Sequence, residues 1–344
     1  MSFPLSIIIP THKRRDILRQ CLECIAKQTL LRKPLDTRLG TARKAGPLGA
    51  TRGDMPLEVI VVSDGPDEKT SEMIQSLSWP FDIQHFAIPK SQQGVARNRA
   101  AEVARGKISL LIGDDMFLAS DACEKHLRAH EARSTKHEIR NKNEAQNFKL
   151  EADSDFGFRI SDFAVLGFTT WDPTLNITPT MRWMEESGVQ FGYPQIAEFA
   201  HAFLPEDRQH FFTYTINLSI PTKLLWLHPF REDLSLYGWE DIEWGKRLAD
   251  AGIPLFYEPD AKGYHHHTFT DTEVWERSRK LGRSAVEMER KLFTSVVGAV
   301  REPPLRFAPR GFKKLAYHLL ALLPTYKGRH CRAFLRGMRE GVSL

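Results

Sequence analysis

Short unbroken apolar runs alternate with stretches whose apolar residues recur every three or four positions, and this alternation lays out the first third of the chain. Leu5 to Ile9 is a compact apolar run ended by Pro10, which reads as a buried parallel strand. Thr11 follows, then a helix to about Gln28 with Ile17, Leu18, Cys21, Leu22 and Ile25 on one stripe. Leu57 to Val62 reads as a second buried strand, ending at Ser63, Asp64 and Gly65, with a helix from Asp67 to Leu77 behind it. Phe81 to Ile88 is a weaker third strand, Gly94 opens another helix, and Ile108 to Phe117 begins as a fourth strand. That order predicts an α/β fold, a doubly wound, mostly parallel sheet with right-handed crossovers. No strand is followed by G-x-G-x-x-G, so the sequence does not describe a dinucleotide fold.

The pattern lapses twice. Residues 31–55, rich in Gly, Pro, Thr and Arg, read as a mobile insertion basic enough to touch an anionic partner. Residues 133–155 read as a second polar, loosely ordered insertion, after a helix from Asp121 to about Ala132. Beyond it come a strand at Phe163 to Phe168, an aromatic and Pro-rich loop with a short helix at Trp171 to Ser187, and a strand at Thr213 to Ser219. A short helix starts at Pro221, a longer one spans Leu236 to Asp250, and Pro254 to Tyr257 is a strand. The histidine run His265 to His267 then sits on a Gly-Tyr turn, before a helix from Asp271 to about Leu292. Two basic amphipathic helices, near Gly311 to Leu323 and Lys327 to Arg339, close the chain.

Composition adds little until it is divided. Apolar residues at 42% and charged residues at 26% of 344 are ordinary for a globular protein with a sizeable core. The net charge of +5, however, is uneven: from Val300 onward ten Lys or Arg face two Glu, +8, so the remainder carries 38 basic against 41 acidic residues, −3. The basic tail either is a solvated helix pair or lies on an anionic membrane surface, and no stacking aromatics accompany it as nucleic-acid binding would need. Cys21 and Cys24 fall inside a helix with no second pair at metal-site spacing, so they read as core residues of a reducing compartment. The N-terminus has no signal-peptide character, and no run is long enough to span a membrane.

Candidate chemistry gathers at the expected carboxyl edge of the sheet, where open α/β folds bind ligands. Asp114 and Asp115 follow the fourth strand together, and adjacent carboxylates are costly without a cation, so they mark either a divalent metal site or an Asp-rich turn. Asp64 ends the second strand on that edge, where it suits a nucleotide's hydrogen bonds or an Asx turn. Arg97, in the first turns of the helix after Gly94, is a diphosphate contact or an ordinary surface arginine. Glu240 and Asp241 sit at a helix start beside Trp239 and Trp244, as proton acceptors or as helix caps. His265 to His267 offer imidazole to a metal or phosphate. Trp171 suits a substrate wall or the core.

In this order, SIIIPTHKR, VIVVSDG, GVARNRA, LLIGDDM, GWEDIEWGKRL and YHHHTF resemble the inverting GT-A-fold glycosyltransferases of family 2, from Ser6 to about Arg290. The resemblance implies a glycosyltransferase domain over 1–300, its nucleotide-binding half about 1–120 and its acceptor half about 156–293, and a basic tail over 301–344. It implies an enzyme of bacterial-type glycan or glycolipid synthesis, cytoplasmic or peripheral on the inner face of the membrane. The donor would be a nucleotide sugar, UDP-linked in preference to GDP- or dTDP-linked, met by Pro10, Thr11, Arg15, Asp64, Gly94, Arg97 and Asp114. Asp114 would be the main carboxylate for Mn²⁺ or Mg²⁺, with Asp115, His265 and His267 beside it. Asp241 would be the base, Glu240 would position the hydroxyl, and Trp171 and Trp239 would line the site of a glycan or lipid-linked acceptor. One departure stands out: Ile112 occupies the position of the family's first D-x-D aspartate. The rival readings are a retaining transferase or nucleotidyltransferase on a related sheet, and a non-catalytic nucleotide-sugar-binding protein.

Overall fold

The computed structural model describes residues 3–32, 55–141, 162–234, 238–295, 309 and 311–342; of 132–141 and 291–295 only the backbone is described. Most of both expected insertions therefore lies outside the described residues.

Four parallel strands form the first half of the sheet in the order β3 (Asp82–Ile88), β2 (Leu57–Asp64), β1 (Phe3–Thr11) and β4 (Gly106–Ile112). Their sequences are apolar at consecutive positions because both faces are covered. Ile7, Ile9, Val59, Val61, Leu110 and Ile112 face the stripe of helix α1 (Arg15–Ile25), namely Leu18, Cys21, Leu22 and Ile25. Ile8, Ile60, Val62 and Leu111 face the other way, onto Ala96, Ala100 and Ala101 of α3 (Gln93–Val103). Helix α2 (Glu68–Ser76) completes the winding, its start capped by Asp67, which accepts from Thr70 N at 3.2 Å.

The second half departs from the parallel rule. Beside β4 lies β8 (Asn217–Pro221), antiparallel to it, then β6 (Ala164–Trp171) and β9 (Leu255–His265), with β5 (Met116–Leu118) at the end. A two-residue strand, β7 (Ala202–Phe203), also pairs with β9. Among the described residues, six of the nine strands run one way; β5, β7 and β8 oppose them.

Several expected boundaries move. The helix after β5, α4 (Ala122–Asn141), continues past residue 132 into the expected insertion. Gly263 and Tyr264 do not make a turn: β9 runs through them to His265, because β6 and β5 pair it on both sides. The strand expected at Thr213 to Ser219 begins only at Asn217, since 209–212 form a 3-10 turn. Short helices α5 (Pro179–Glu186) and α6 (Thr222–Leu227) precede α7 (Glu240–Asp250). The chain then continues through α8 (Asp271–Ser295), α9 (Gly311–Ala321) and α10 (Tyr326–Val342). Cys21 is buried and Cys24 half-buried, both as free thiols.

Candidate active site

Three strand ends meet at the carboxyl edge. Asp64, closing β2, has both oxygens engaged: Lys90 Nζ donates to Oδ2 at 2.6 Å, and Ser91 N donates to Oδ1 at 2.6 Å. Burial works to raise this carboxyl, but the Lys90 and Ser91 bonds outweigh it and hold it below its ordinary value. The ring of His12 meets the Asp64 carbonyl at 2.7 Å, tying the end of β1 to the end of β2.

The two consecutive aspartates after β4 have different surroundings. Asp114 accepts from Thr11 Oγ1 at 2.7 Å and from Arg14 Nη1 at 2.7 Å. Burial, with Asp115 alongside, pushes its carboxyl up to about 6 against the pull of Arg14 and Thr11. Asp115 Oδ2 accepts from Arg14 Nη2 at 2.8 Å, and stands 3.4 Å from His265 Nε2 and 3.5 Å from His267 Nδ1. Its burial is outweighed by the two imidazoles and Arg14, which hold it well below the usual carboxylate range. Strand register creates this meeting: Met116, next to Asp115, pairs directly with His265, and His266 N donates to the Asp115 carbonyl at 2.8 Å. His266 turns the other way, to Asp172 Oδ2 at 2.6 Å.

Asp115, His265 and His267 suit a divalent cation. Ligand atoms about 2.1 Å from one ion lie about 3.0 Å apart at right angles and about 3.4 Å apart at tetrahedral angles. The Asp115 spacings to the histidines match that range and are long for direct hydrogen bonds. One carboxylate with two imidazoles is a donor set for Mn²⁺ or another first-row ion rather than for Mg²⁺ alone. Behind it, His265 Nδ1 is buried with no partner among the described residues, and Trp171 stacks on the ring at 5.5 Å.

The second carboxylate pair opens α7. Gly238 precedes it with φ of +87°, and a Cβ there would meet Leu281 Cδ2 at 2.5 Å, so glycine is needed to turn the chain in. Glu240 accepts from Gly238 N at 3.0 Å and from the side chain of Gln93. Asp241 accepts from Thr215 Oγ1 at 2.8 Å and Thr215 N at 3.3 Å. Arg97, 1% exposed, joins the two sides: Nη2 donates at 3.4 Å to Gln93 Oε1 and, also at 3.4 Å, to the Thr215 carbonyl. The result is a closed circuit, Glu240–Gln93–Arg97–Thr215–Asp241. Burial raises the Asp241 carboxyl, Glu240 adds to this, and Arg97 and Thr215 counter it. Close packing holds the circuit, because a Cβ on Gly245 would fall 1.8 Å from Thr213 Oγ1.

The structure thus brings Pro10, Thr11, Asp64, Asp114, Asp115, His265 and His267 to one edge, and Arg97, Glu240 and Asp241 to one circuit. Four other expected residues have different surroundings. Arg15 is not at the site: it pairs with Asp16 at 2.8 Å, while Arg14, one position earlier, reaches both aspartates. Trp171 faces the core: it ends β6, is 3% exposed, and gives its indole N–H to the Met181 carbonyl. Trp239 likewise packs inward and donates to the Leu281 carbonyl. Gly94 touches neither group; its neighbour is Phe230, at 3.1 Å from an added Cβ. Residues that sequence reasoning missed are Arg14, Lys90, Gln93, Asp172 and Thr215. Arg14 alone had a signal, as the last residue of the SIIIPTHKR segment.

A mannosyltransferase, PcManGT from Pyrobaculum calidifontis, solved in complex with GDP-Man and Mn²⁺, superposes with a TM-score of 0.53 at 14% identity, over 99% of this chain and 88% of that one. TarS 1-349 of S. aureus in complex with UDP-GlcNAc gives a TM-score of 0.45 at 12% identity, over 100% and 92%. An uncharacterized glycosyltransferase of Bacillus subtilis (strain 168), YfnE, is 38% identical over 80 residues, 23% of this chain and only 20% of that protein's length. The mixed sheet, with helices on both faces, is a GT-A fold. The family model of glycosyl transferase family 2 matches residues 6–187, more than half of the chain. On that match, and with the fold in agreement, the chain belongs to glycosyltransferase family 2.

Proposed function

We propose that the chain transfers a sugar from a nucleotide-sugar donor to an acceptor hydroxyl in a single displacement that inverts the anomeric carbon. The observation that carries this reading is the half-buried Asp241: an otherwise ordinary carboxylate with a raised pKa, fixed by Thr215 and backed by a buried guanidinium. A base poised nearer neutrality accepts a hydroxyl proton more readily than an exposed aspartate does. Asp241 takes the proton of the acceptor hydroxyl, and Glu240, held by Gln93 and the Gly238 amide, orients that hydroxyl. Pro10, Thr11 and Asp64 line the nucleotide pocket. Gly94 and Arg97 serve the donor side less directly, through the helix that carries Gln93. Asp115, His265 and His267, with Asp114 behind, would hold Mn²⁺ or Mg²⁺, which when bound would offset charge on the leaving diphosphate.

In this reading residues 1–300 are the transferase and 301–344 an appended tail; the donor is UDP-linked in preference to GDP- or dTDP-linked, and the acceptor a glycan or lipid-linked saccharide in the cytoplasm. The test has two parts. Thermal stabilisation across nucleotides and nucleotide sugars, with and without Mn²⁺, identifies the donor. Asp241→Asn then lowers transfer about 1000-fold with donor stabilisation retained, and product anomer analysis reports inversion. Transfer at the native rate by Asp241→Asn, or a retained anomer, refutes the mechanism.

A further inference from the structure

The last two helices are not equivalent. α10 lies against α8 at backbone contact: a Cβ on Gly337 would fall 1.8 Å from the Arg279 carbonyl, and one on Gly282 would fall 2.0 Å from the Phe334 carbonyl. Its apolar side chains Cys331, Phe334 and Leu335 are buried. α9 has no fully buried residue. Tyr317 turns inward, onto Phe334 at 5.7 Å, and Leu320 and Ala321 are half-buried. The opposite side of α9 and the turn after it carry Phe312 at 90% exposure, Leu315 at 55%, Leu319 at 59%, Leu322 at 80% and Leu323 at 45%. Phe312, Leu315 and Leu319 form one stripe of the helix, and Leu322 and Leu323 extend it into the turn. Scattered exposed leucines need no explanation, but five on a single stripe do.

We propose that α9 docks on an anionic lipid bilayer, its Phe312–Leu323 stripe entering the headgroup and acyl boundary while Lys313 and Lys314 meet lipid phosphates. Charge selects this occupant. Between 311 and 342 there are seven Lys or Arg against one Glu, net +6, so two such surfaces repel one another and an anionic leaflet attracts both. Length selects the mode. No described helix is long and apolar enough to cross a membrane, so the stripe lies in the plane of the interface. The inner side of α9 also shares a cluster with the start of α7: Tyr317, Phe334, Leu281, Trp239 and Ile242 pack together. The cluster thus joins α9 to the first turn of α7, the turn that carries Glu240 and Asp241. The proposal does not depend on the transfer reaction.

The test is co-sedimentation of the full chain with vesicles of phosphatidylcholine alone and of phosphatidylcholine mixed with phosphatidylglycerol. The native chain is expected to pellet with the mixed vesicles and weakly with the neutral ones. Phe312→Ser with Leu319→Ser should cut partitioning about 100-fold, and Lys313→Gln with Lys314→Gln about tenfold or more, on mixed vesicles only. Since none of these side chains is buried, each variant should melt at the native temperature. Three results overturn the proposal: no pelleting with mixed vesicles, native partitioning by the Ser variant, or light scattering that shows a dimer which Phe312→Ser dissociates. The last assigns the stripe to a second copy instead.

Discussion

Replacing Arg97 with Met removes the one cation in the Glu240–Asp241 circuit and leaves its neutral members in place. Arg97 Nη2 lies 3.4 Å from the Thr215 carbonyl, and Thr215 N lies 3.3 Å from Asp241 Oδ2, so one residue separates guanidinium from carboxylate. At an effective dielectric near 20, unit charges about 6 Å apart interact by about 3 kcal/mol. That equals about two pH units in the ionisation of Asp241. The sign follows from which form the cation favours: Arg97 stabilises ionised Asp241, so its loss raises the pKa further. The acid limb of kcat/KM for transfer should move up by about two pH units, with activity about 100-fold lower below the limb and nearly native on the alkaline plateau. Folding should lose up to about 3 kcal/mol above the limb, where ionised Asp241 is left without its cation, and little below it, where Asp241 is protonated; the buried Nε and Nη1, without partners among the described residues, offset part of the loss. Arg97→Lys should keep the native limb. An unmoved limb with a raised donor KM would refute the reasoning and make Arg97 a direct donor contact.

Three further outcomes are expected. Asp115→Asn should weaken Mn²⁺-dependent thermal stabilisation by more than about 100-fold and Asp114→Asn by about tenfold, since only Asp115 faces both histidines; equal losses would show that the pair acts together. Burial pushes His126 down to about 4 and His130 down to about 3, where they bond Ser219 and Asn217. Both histidines stay neutral when folded, so the unfolded chain binds more protons below about pH 6.5, and stability falls from there down to the folded pKa values, by about 3 kcal/mol for His126 alone; urea midpoints across that range for the native chain and His126→Gln check it. Gly245→Ala, whose Cβ would overlap Thr213, should cost about 1–3 kcal/mol in urea unfolding and depress transfer through Thr215.

Legibility in the sequence followed the range of the interactions involved. The first four strands and helices α1 to α3 could be read because burial on both faces writes continuous apolar runs, and a single buried stripe writes helical spacing. The strand ends at Thr11 and Asp64, and the aspartates just past β4, followed from that order. What could not be read was set by distant pairing. Arg14 and Asp114 are 100 positions apart, and whether Arg14 or Arg15 turns inward depends on the phase of α1 against β4. Gly263 and Tyr264 carry a turn's composition, yet ladder partners on both sides keep them in β9. Trp171 reads equally as pocket or core until β6 is seen to end beside His265. Thr215 and Gln93 are neutral and unremarkable in sequence, and they acquire meaning only from the carboxylates they hold.

The register of β9 against β5 has a consequence for how this chain tolerates insertion and deletion. Of three consecutive imidazoles, the outer two meet Asp115 and the middle one meets Asp172. Side chains on an extended backbone alternate, so sliding β9 by one residue would exchange faces. His266 would then turn to Asp115, and one of its neighbours to Asp172. A single-residue length change upstream, which in most strands would strip a site of its ligand, would here reduce two imidazoles to one. Repetition in the triplet thus keeps an imidazole opposite Asp115 in either register of the ladder.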